Sequence, residues 1–291
     1  MSGISVIIVC YKSELELRSI VESILFYNDI SLSKLEFIVV DNYGLGKEQH
    51  IVKSIKIDHE IDIKYIRSED NLGYGAGNNI GIHAAKNDVI CVVNPDVRFV
   101  KPIFNLVLDT FKDNGNIVAL SGEQISGRNK SYFLRPEFQI PFLKGLINRF
   151  IDSIGYKSKF MALSGALTFY DKKLFKSIGL FDENIFLYCE ESDVAYRACK
   201  HLLKTKFDSR IKYVHLDWDR TEPSPETVQN LIDSVIKYSN KHNERCLGYF
   251  LSGYIHSLIK SLYARLSNNQ NEANRLIKIA DYYRKNNFNR Y

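Results

Sequence analysis

An α/β fold with a mostly parallel central sheet, helices on its faces and a helical C-terminal extension is predicted from the pattern of this chain. ISVIIVCY (4–11), LEFIVVDN (35–42) and DVICVVNP (88–95) are nearly continuous apolar runs, of the kind found in strands buried on both faces. The stretches between them carry apolar residues at helical spacing. Strand and helix alternate through the first half, which implies parallel pairing through right-handed crossovers.

The elements follow in order. After 4–11, the spacing of Leu17, Ile20, Val21, Ile24 and Leu25 predicts a helix. A second strand spans 35–42, a helix lies near 47–57, a third strand covers IDIKYIRS (61–68) and a helix lies near 76–86. The fourth strand is 88–95, and NIVALSGE (116–123) follows another helix. From 124 to 160, with SGRNKSYFLRPEFQIPF, an irregular excursion is expected. Order resumes over 161–203, RIKYVHLDW (210–218) reads as a last strand running into a loop, and long helical patterns dominate from 226. The expected organisation is one unit over 1–225, divided near 123, and an extension over 226–291.

Composition narrows the class. The chain has 291 residues, 45% hydrophobic and 25% charged, as in ordinary soluble globular proteins. Five scattered cysteines without Cys-x-x-Cys spacing point to reduced thiols, not to zinc or a disulfide framework. MSGISVIIVCYK has no basic region followed by a cleavable apolar one, so no secretory signal is inferred and a cytoplasmic location is expected. The net charge of +5 sits in the tail: residues 226–291 hold ten Lys/Arg and five Asp/Glu, and the first 225 residues balance. Such a tail suits an anionic partner, nucleic acid or membrane, or simply a solvated helical face. No uninterrupted apolar segment reaches the ~18–20 residues that span a bilayer. CLGYFLSGYIHSLI (246–259), the longest uncharged piece, reads as a core or interfacial helix.

Parallel sheets place ligands at the carboxyl ends of their strands, where Tyr11, Asp41 and Asp96 fall. Asp41 is suited to accept hydrogen bonds from a base or sugar, or to cap a helix. Asp96 is suited to hold a divalent cation against a diphosphate, although Asn94, Pro95 and Asp96 are also turn residues. NLGYGAGNNIG (71–81) is a poor dinucleotide motif because its glycines follow the third strand, not the first. It serves either close approach to a phosphate or ribose, or a tight strand-to-helix turn. Glu190, Glu191 and Asp193 open a helix, where they complement its dipole or supply a general base. His215, near Asp217 and Asp219, is a metal or phosphate ligand or a structural histidine.

Taken in order, SVIIVCYKS, VVDN, NLGYGAGNNIG, NPDV, LSGALTFY, GLFDENIFLYCEESDVAYR and VHLDW resemble family 2 glycosyltransferases with the GT-A nucleotide-diphospho-sugar transferase fold. Among these the chain is most similar to bacterial rhamnosyltransferases, which build O-antigen, capsule and other surface polysaccharides from dTDP-L-rhamnose. The resemblance covers about residues 3–220 and makes 1–225 the catalytic domain, with a nucleotide-binding half to about 123 and an acceptor half beyond.

The resemblance implies roles residue by residue. Val9, Cys10 and Tyr11 would border the nucleobase and Asp41 would contact base or ribose. Asn71, Gly73, Gly75 and Asn79 would line the nucleotide, with Asn94 and Glu190 also on the donor side. Asp96, the remaining acid of an Asp-x-Asp motif, would bind Mg²⁺ or Mn²⁺ with His215. Gly165 and Ala166 would face donor sugar and acceptor. Glu191 would be the catalytic base, with Asp193 as its rival.

Asn94 stands where the family carries an acid, and Glu191 where it usually has Asp. The Gln-x-x-Arg-Trp motif of processive members is absent from the sequence, so one sugar per encounter is expected. The implied reaction is inverting transfer of rhamnose to a saccharide acceptor, lipid-linked at the inner face of the cytoplasmic membrane. The tail would rest on that surface or pair two subunits, and nucleic acid is not expected as a partner. Galactofuranose, glucose or GlcNAc donors, a non-catalytic nucleotide-sugar sensor, and more remotely an NAD-dependent oxidoreductase are the alternatives.

Overall fold

The computed structural model describes residues 3–43, 46–125, 130–140, 153–216 and 224–288. The first half alternates as β1 (Ile4–Cys10), α1 (Glu14–Phe26), β2 (Leu35–Asp41), α2 (Glu48–His59), β3 (Ile63–Arg67), α3 (Tyr74–Ala84) and β4 (Val89–Val93). There follow β5 (Val97–Phe99), α4 (Phe104–Asp113), β6 (Ile117–Gln124), β7 (Tyr132–Leu134), β8 (Met161–Leu163), β9 (Leu167–Asp171), α5 (Lys172–Ser177), α6 (Glu190–Lys200) and β10 (Lys204–His215). Three helices complete the chain: α7 (Pro225–His242), α8 (Leu247–Leu266) and α9 (Gln270–Phe288).

Eight strands form one sheet in the order β3-β2-β1-β4-β9-β6-β10-β5. β1 pairs in parallel with β2 and β4, and β2 with β3, while β9 runs antiparallel to both β4 and β6. The predicted mostly parallel sheet is therefore present. Its strands are apolar on both faces because both are covered. Ile4, Val6 and Ile8 pack with Leu17, Ile20 and Phe104 on one side. Ile7, Ile38 and Val40 pack with Ile82, Phe175 and Val194 on the other. Each such side chain contributes about 1.5–3 kcal/mol by leaving water. α3 approaches β1 closely: a Cβ on Gly81 would lie 2.5 Å from Ile7 Cγ2.

Some elements differ from expectation. MALSGALTFY divides into β8 and β9 around Ser164–Ala166. β10 begins at Lys204, earlier than 210, because its alternating Lys204, Lys206, Asp208 and Arg210 disguise a strand that pairs with β6. Strands β5, β7 and β8 are three residues each, too short to show a period. All five cysteines are free thiols, as expected.

Helices α7–α9 enclose a further core of Ile232, Val235, Tyr238, Phe250 and Ile279, which includes Cys189 at the start of α6. Among the described residues, no helix is long and apolar enough to cross a membrane.

Candidate active site

The end of β4 explains how Asp96 is placed. The Asn94 carbonyl accepts from Val97 N–H at 3.1 Å, closing a turn with Pro95 at its second position, where the fixed proline φ fits. Asn94 N–H donates to the Ala166 carbonyl at 2.9 Å. The chain then continues as β5, which pairs antiparallel with the end of β10, Val97 opposite His215. Leu216 N–H donates to the Asp96 carbonyl, and His215 Nε2 lies 3.1 Å from Asp96 Oδ1. His215 is 5% exposed and Asp96 29%, so the pair opens to solvent through the carboxylate.

This oxygen and nitrogen are a partial donor set for a cation. Among the described residues no cluster of three or more His, Cys, Asp or Glu side chains is arranged for a metal. The pair fits Mn²⁺ or Mg²⁺ only as part of a shell completed by waters and substrate phosphates, a habit common for these ions. Asp217 and Asp219 lie outside the described residues.

The N-terminus of α6 lies against Gly165, next to the Ala166 carbonyl that Asn94 reaches. The chain enters it through Tyr188 and Cys189, both with positive φ (69° and 76°), a costly conformation for such side chains. Burial pushes the Glu191 carboxyl up, against the opposing pull of its own backbone N–H and that of Gly165. A Cβ on Gly165 would stand 2.1 Å from Glu191 Oε1. Tyr74 Oη donates to the Gly165 carbonyl at 2.7 Å, fixing this peptide from its other end. Glu191, Gly165, Ala166, Asn94 and the Asp96–His215 pair therefore form one contiguous strip.

Its two acidic neighbours have other surroundings. Glu190 is buried beneath Gly75, and burial, then the charge of Glu191, pushes it well above the usual carboxylate range. Asp193 faces α7. Burial opposes its ionisation, but the hydrogen bond from His242 (2.8 Å), with Arg197 (2.6 Å) and Lys241 (2.7 Å), brings it down from 3.8 to about 2. A carboxylate so held is a poor proton acceptor, and the expected rival base is corrected to an anchor of α7 on α6.

The nucleotide side needs similar correction. Asp41 is fully buried and accepts from Tyr43 N–H, Gly46 N–H and Tyr65 Oη at 3.0, 2.9 and 2.7 Å, so it shapes the loop after β2. The Cys10 side chain is in the core, and Val9 packs near Gly77. Asn79 bonds Phe181 through its amide N–H and carbonyl, and also donates to Glu183. A Cβ on Gly73 (φ 87°) would meet the Phe186 carbonyl at 2.1 Å, and Tyr74 N–H donates to that carbonyl. Asn71 accepts from Asn42 and Gly73. NLGYGAGNNIG is thus a joint between the end of β2 and residues 181–190; Gly73 and Gly75 serve close packing there.

Tyr11, by contrast, is 46% exposed. Its ring meets Tyr43 edge-on at 5.1 Å, and the Lys12 ammonium lies over both rings, 5.4 and 4.9 Å from their centroids. An exposed ring backed by a half-buried one, with a cation over both, suits a base and its phosphates. Tyr43, Lys12 and Tyr74 were missed from sequence. Tyr43 follows VVDN directly, and its position after a strand end was the available signal.

The model of "Glycosyl transferase family 2" matches residues 5–179. The low-salt glycan biosynthesis hexosyltransferase Agl10 of Haloferax volcanii is 28% identical over 209 residues, 68% of this chain. That match spans 62% of the relative's length. Among solved structures, the mannosyltransferase PcManGT of Pyrobaculum calidifontis, in complex with GDP-Man and Mn²⁺, superposes with a TM-score of 0.66 at 12% identity. It covers 99% of this chain and 88% of its own. S. aureus TarS 1–349 with UDP superposes with a TM-score of 0.56 at 15% identity, covering 99% and 93%. At these identities the two structures speak for the fold, which is that of the GT-A glycosyltransferases. With the family model covering more than half of it, the chain belongs to glycosyl transferase family 2.

Proposed function

We propose that the protein is an inverting, non-processive glycosyltransferase that moves L-rhamnose from dTDP-L-rhamnose to a hydroxyl of a saccharide acceptor, with Glu191 as general base. The observation that carries the reaction type is the Glu191 carboxylate. It lies against Gly165, is raised by burial and is joined through Ala166 and Asn94 to the Asp96–His215 pair. A carboxyl raised above the ordinary glutamate value is a stronger base.

In the transfer, Glu191 takes the proton of the acceptor hydroxyl as its oxygen bonds to the anomeric carbon. The bond from that carbon to the diphosphate breaks on the opposite face, and the nucleoside diphosphate leaves with the electron pair. Asp96 and His215 would hold Mg²⁺ or Mn²⁺, which when bound supplies positive charge against the departing diphosphate. The exposed Tyr11, with Tyr43 against it, carries the base, and Lys12 stands near enough to answer phosphate charge. The Gly165–Ala166 backbone borders the space between base and diphosphate.

The rhamnosyl donor rests on the similarity of the motifs to bacterial rhamnosyltransferases. A hexosyl donor is the second reading, favoured by the hexosyltransferase relative. An acceptor on a lipid carrier, in surface-glycan synthesis, is in keeping with that relative's glycan biosynthesis name. A panel of dTDP-rhamnose, UDP-GlcNAc, UDP-glucose and GDP-mannose with Mn²⁺, read by thermal shift and then turnover, tests the assignment. Stabilisation and turnover with dTDP-rhamnose alone are expected. Turnover with another donor replaces the sugar, and binding of every donor without turnover replaces the enzyme by a sensor.

A further inference from the structure

Helix α8 is built inside out for a water-soluble helix. Beside Tyr249, Phe250 and Tyr254, which pack into the core of α7–α9, the face that it buries is of small residues: Gly253, where a Cβ would lie 2.3 Å from the Tyr283 ring, and the buried Ser257 and Ser261. Ser261 Oγ donates to the Ala273 carbonyl of α9. The large side chains of its last three turns point the other way. Leu258, Leu262 and Leu266 form one outward row and Ile259 and Tyr263 the next, 40–74% exposed. Small residues at the helix contact and aliphatic ones outside are the arrangement of helices whose surroundings are lipid. Contiguous exposed apolar patches of this kind mark contact surfaces.

Charge selects the occupant. α8 contains no Asp or Glu, but has Lys260 and Arg265. Over 247–288 there are six Lys/Arg and two acids, a net charge of +4, with Glu272 shared between Arg275 and Lys260. In a two-fold pairing of this face with a second copy, Lys260 and Arg265 would meet a helix with no acid to answer them. Anionic headgroups answer them directly. Since no described helix can span, α8 must lie in the surface plane.

We infer that the outward face of α8 docks on an anionic lipid bilayer, with Leu258, Leu262 and Leu266 in the acyl boundary and Lys260 and Arg265 among the phosphates. α8 also touches the 136–138 turn, and α7 is pinned to α6 through Asp193, so the docked face belongs to the same rigid framework as Glu191.

Flotation of the full chain with vesicles tests this without any sugar donor, so its failure leaves the transferase reading untouched. Binding to phosphatidylcholine–phosphatidylglycerol vesicles, weakened by salt and nearly lost on pure phosphatidylcholine, is expected. Leu258→Glu/Leu262→Glu should lower partitioning by about tenfold or more, the cost of losing buried leucines, with an unchanged circular-dichroism melt. Lys260→Glu/Arg265→Glu, on the polar flank, should abolish the preference for anionic vesicles even if the leucine variant folds poorly. The proposal is overturned by a wild-type chain that stays unbound, by equal binding to neutral vesicles, or by charge reversal without effect. Light scattering that shows a dimer dissociated by the leucine variant, with vesicle binding intact, would assign the face to a second copy instead.

Discussion

Glu191 Oε1 lies against Gly165, and the room for that carboxylate exists because residue 165 has no Cβ: one would stand 2.1 Å from Oε1. The obstacle would meet the end of a flexible side chain, not backbone, so Gly165→Ala should fold and displace Glu191. A misplacement of that size costs about 10²-fold in kcat. Kinetics beside a thermal melt check it; normal turnover in a folded Gly165→Ala would refute the positioning role.

Glu191→Gln removes the proton acceptor while keeping its shape. Loss of a general base costs ~10²–10⁴ in rate, so kcat should fall at least that far with dTDP binding retained. Burial raises the Glu191 carboxyl, so the enzyme should gain activity as pH rises through a limb lying above the ordinary glutamate value of 4.5. A pH profile of kcat/KM reads this directly. A limb at or below 4.5 is the contrary result.

Glu190 tests a different sign. Its folded carboxyl is well above 4.5, so the proton binds the folded state more tightly. The stability this adds is complete below about 4.5 and is lost as pH rises through the folded value. Glu190→Gln, which mimics the protonated form, should melt higher than wild type in alkaline buffer and nearly equally in acid. Denaturation at two pH values is sufficient.

Asp193 behaves oppositely. Held near 2 by His242, Arg197 and Lys241, it contributes stability present above 3.8 and lost as pH falls toward 2. Asp193→Asn leaves the largely buried Arg197 without its carboxylate and should cost about 3–5 kcal/mol. Urea unfolding with the α7 hydrogen-exchange rates measures it; an unchanged midpoint would remove the anchor.

Asp96→Asn and His215→Asn should abolish the Mn²⁺-dependent part of dTDP stabilisation, an effect that Glu191→Gln should not reproduce. Calorimetry of dTDP with Mn²⁺ and with chelator separates the two classes. Retained Mn²⁺ dependence in both variants would place the cation elsewhere.

The parallel half of the sheet was legible because strands buried on both faces must be apolar throughout. The C-terminal helices were legible from their period. β5 was not, since three residues carry no period, and yet β5 is what turns Asp96 toward His215. The acids of α6 were seen as a cluster, but Glu190, Glu191 and Asp193 differ only in what lies opposite each of them. The glycines of 71–81 were legible as places of close approach, and at Gly73 the approaching group is the Phe186 carbonyl.

By itself the sequence determined the α/β architecture, the strand-end positions of Tyr11, Asp41 and Asp96, and the order of motifs by which the family is known. These depend on local polarity and on spacing along the chain. Only the tertiary structure decided which of three neighbouring acids burial pushes furthest up, which is held down as an anchor and which lies against Gly165. Ionisation is set by burial and by charges from other elements, and His242 reaches Asp193 from 49 residues away. The outward face of α8 belongs there as well: its period was readable, but which side the small residues would bury was fixed by α9 packing against them.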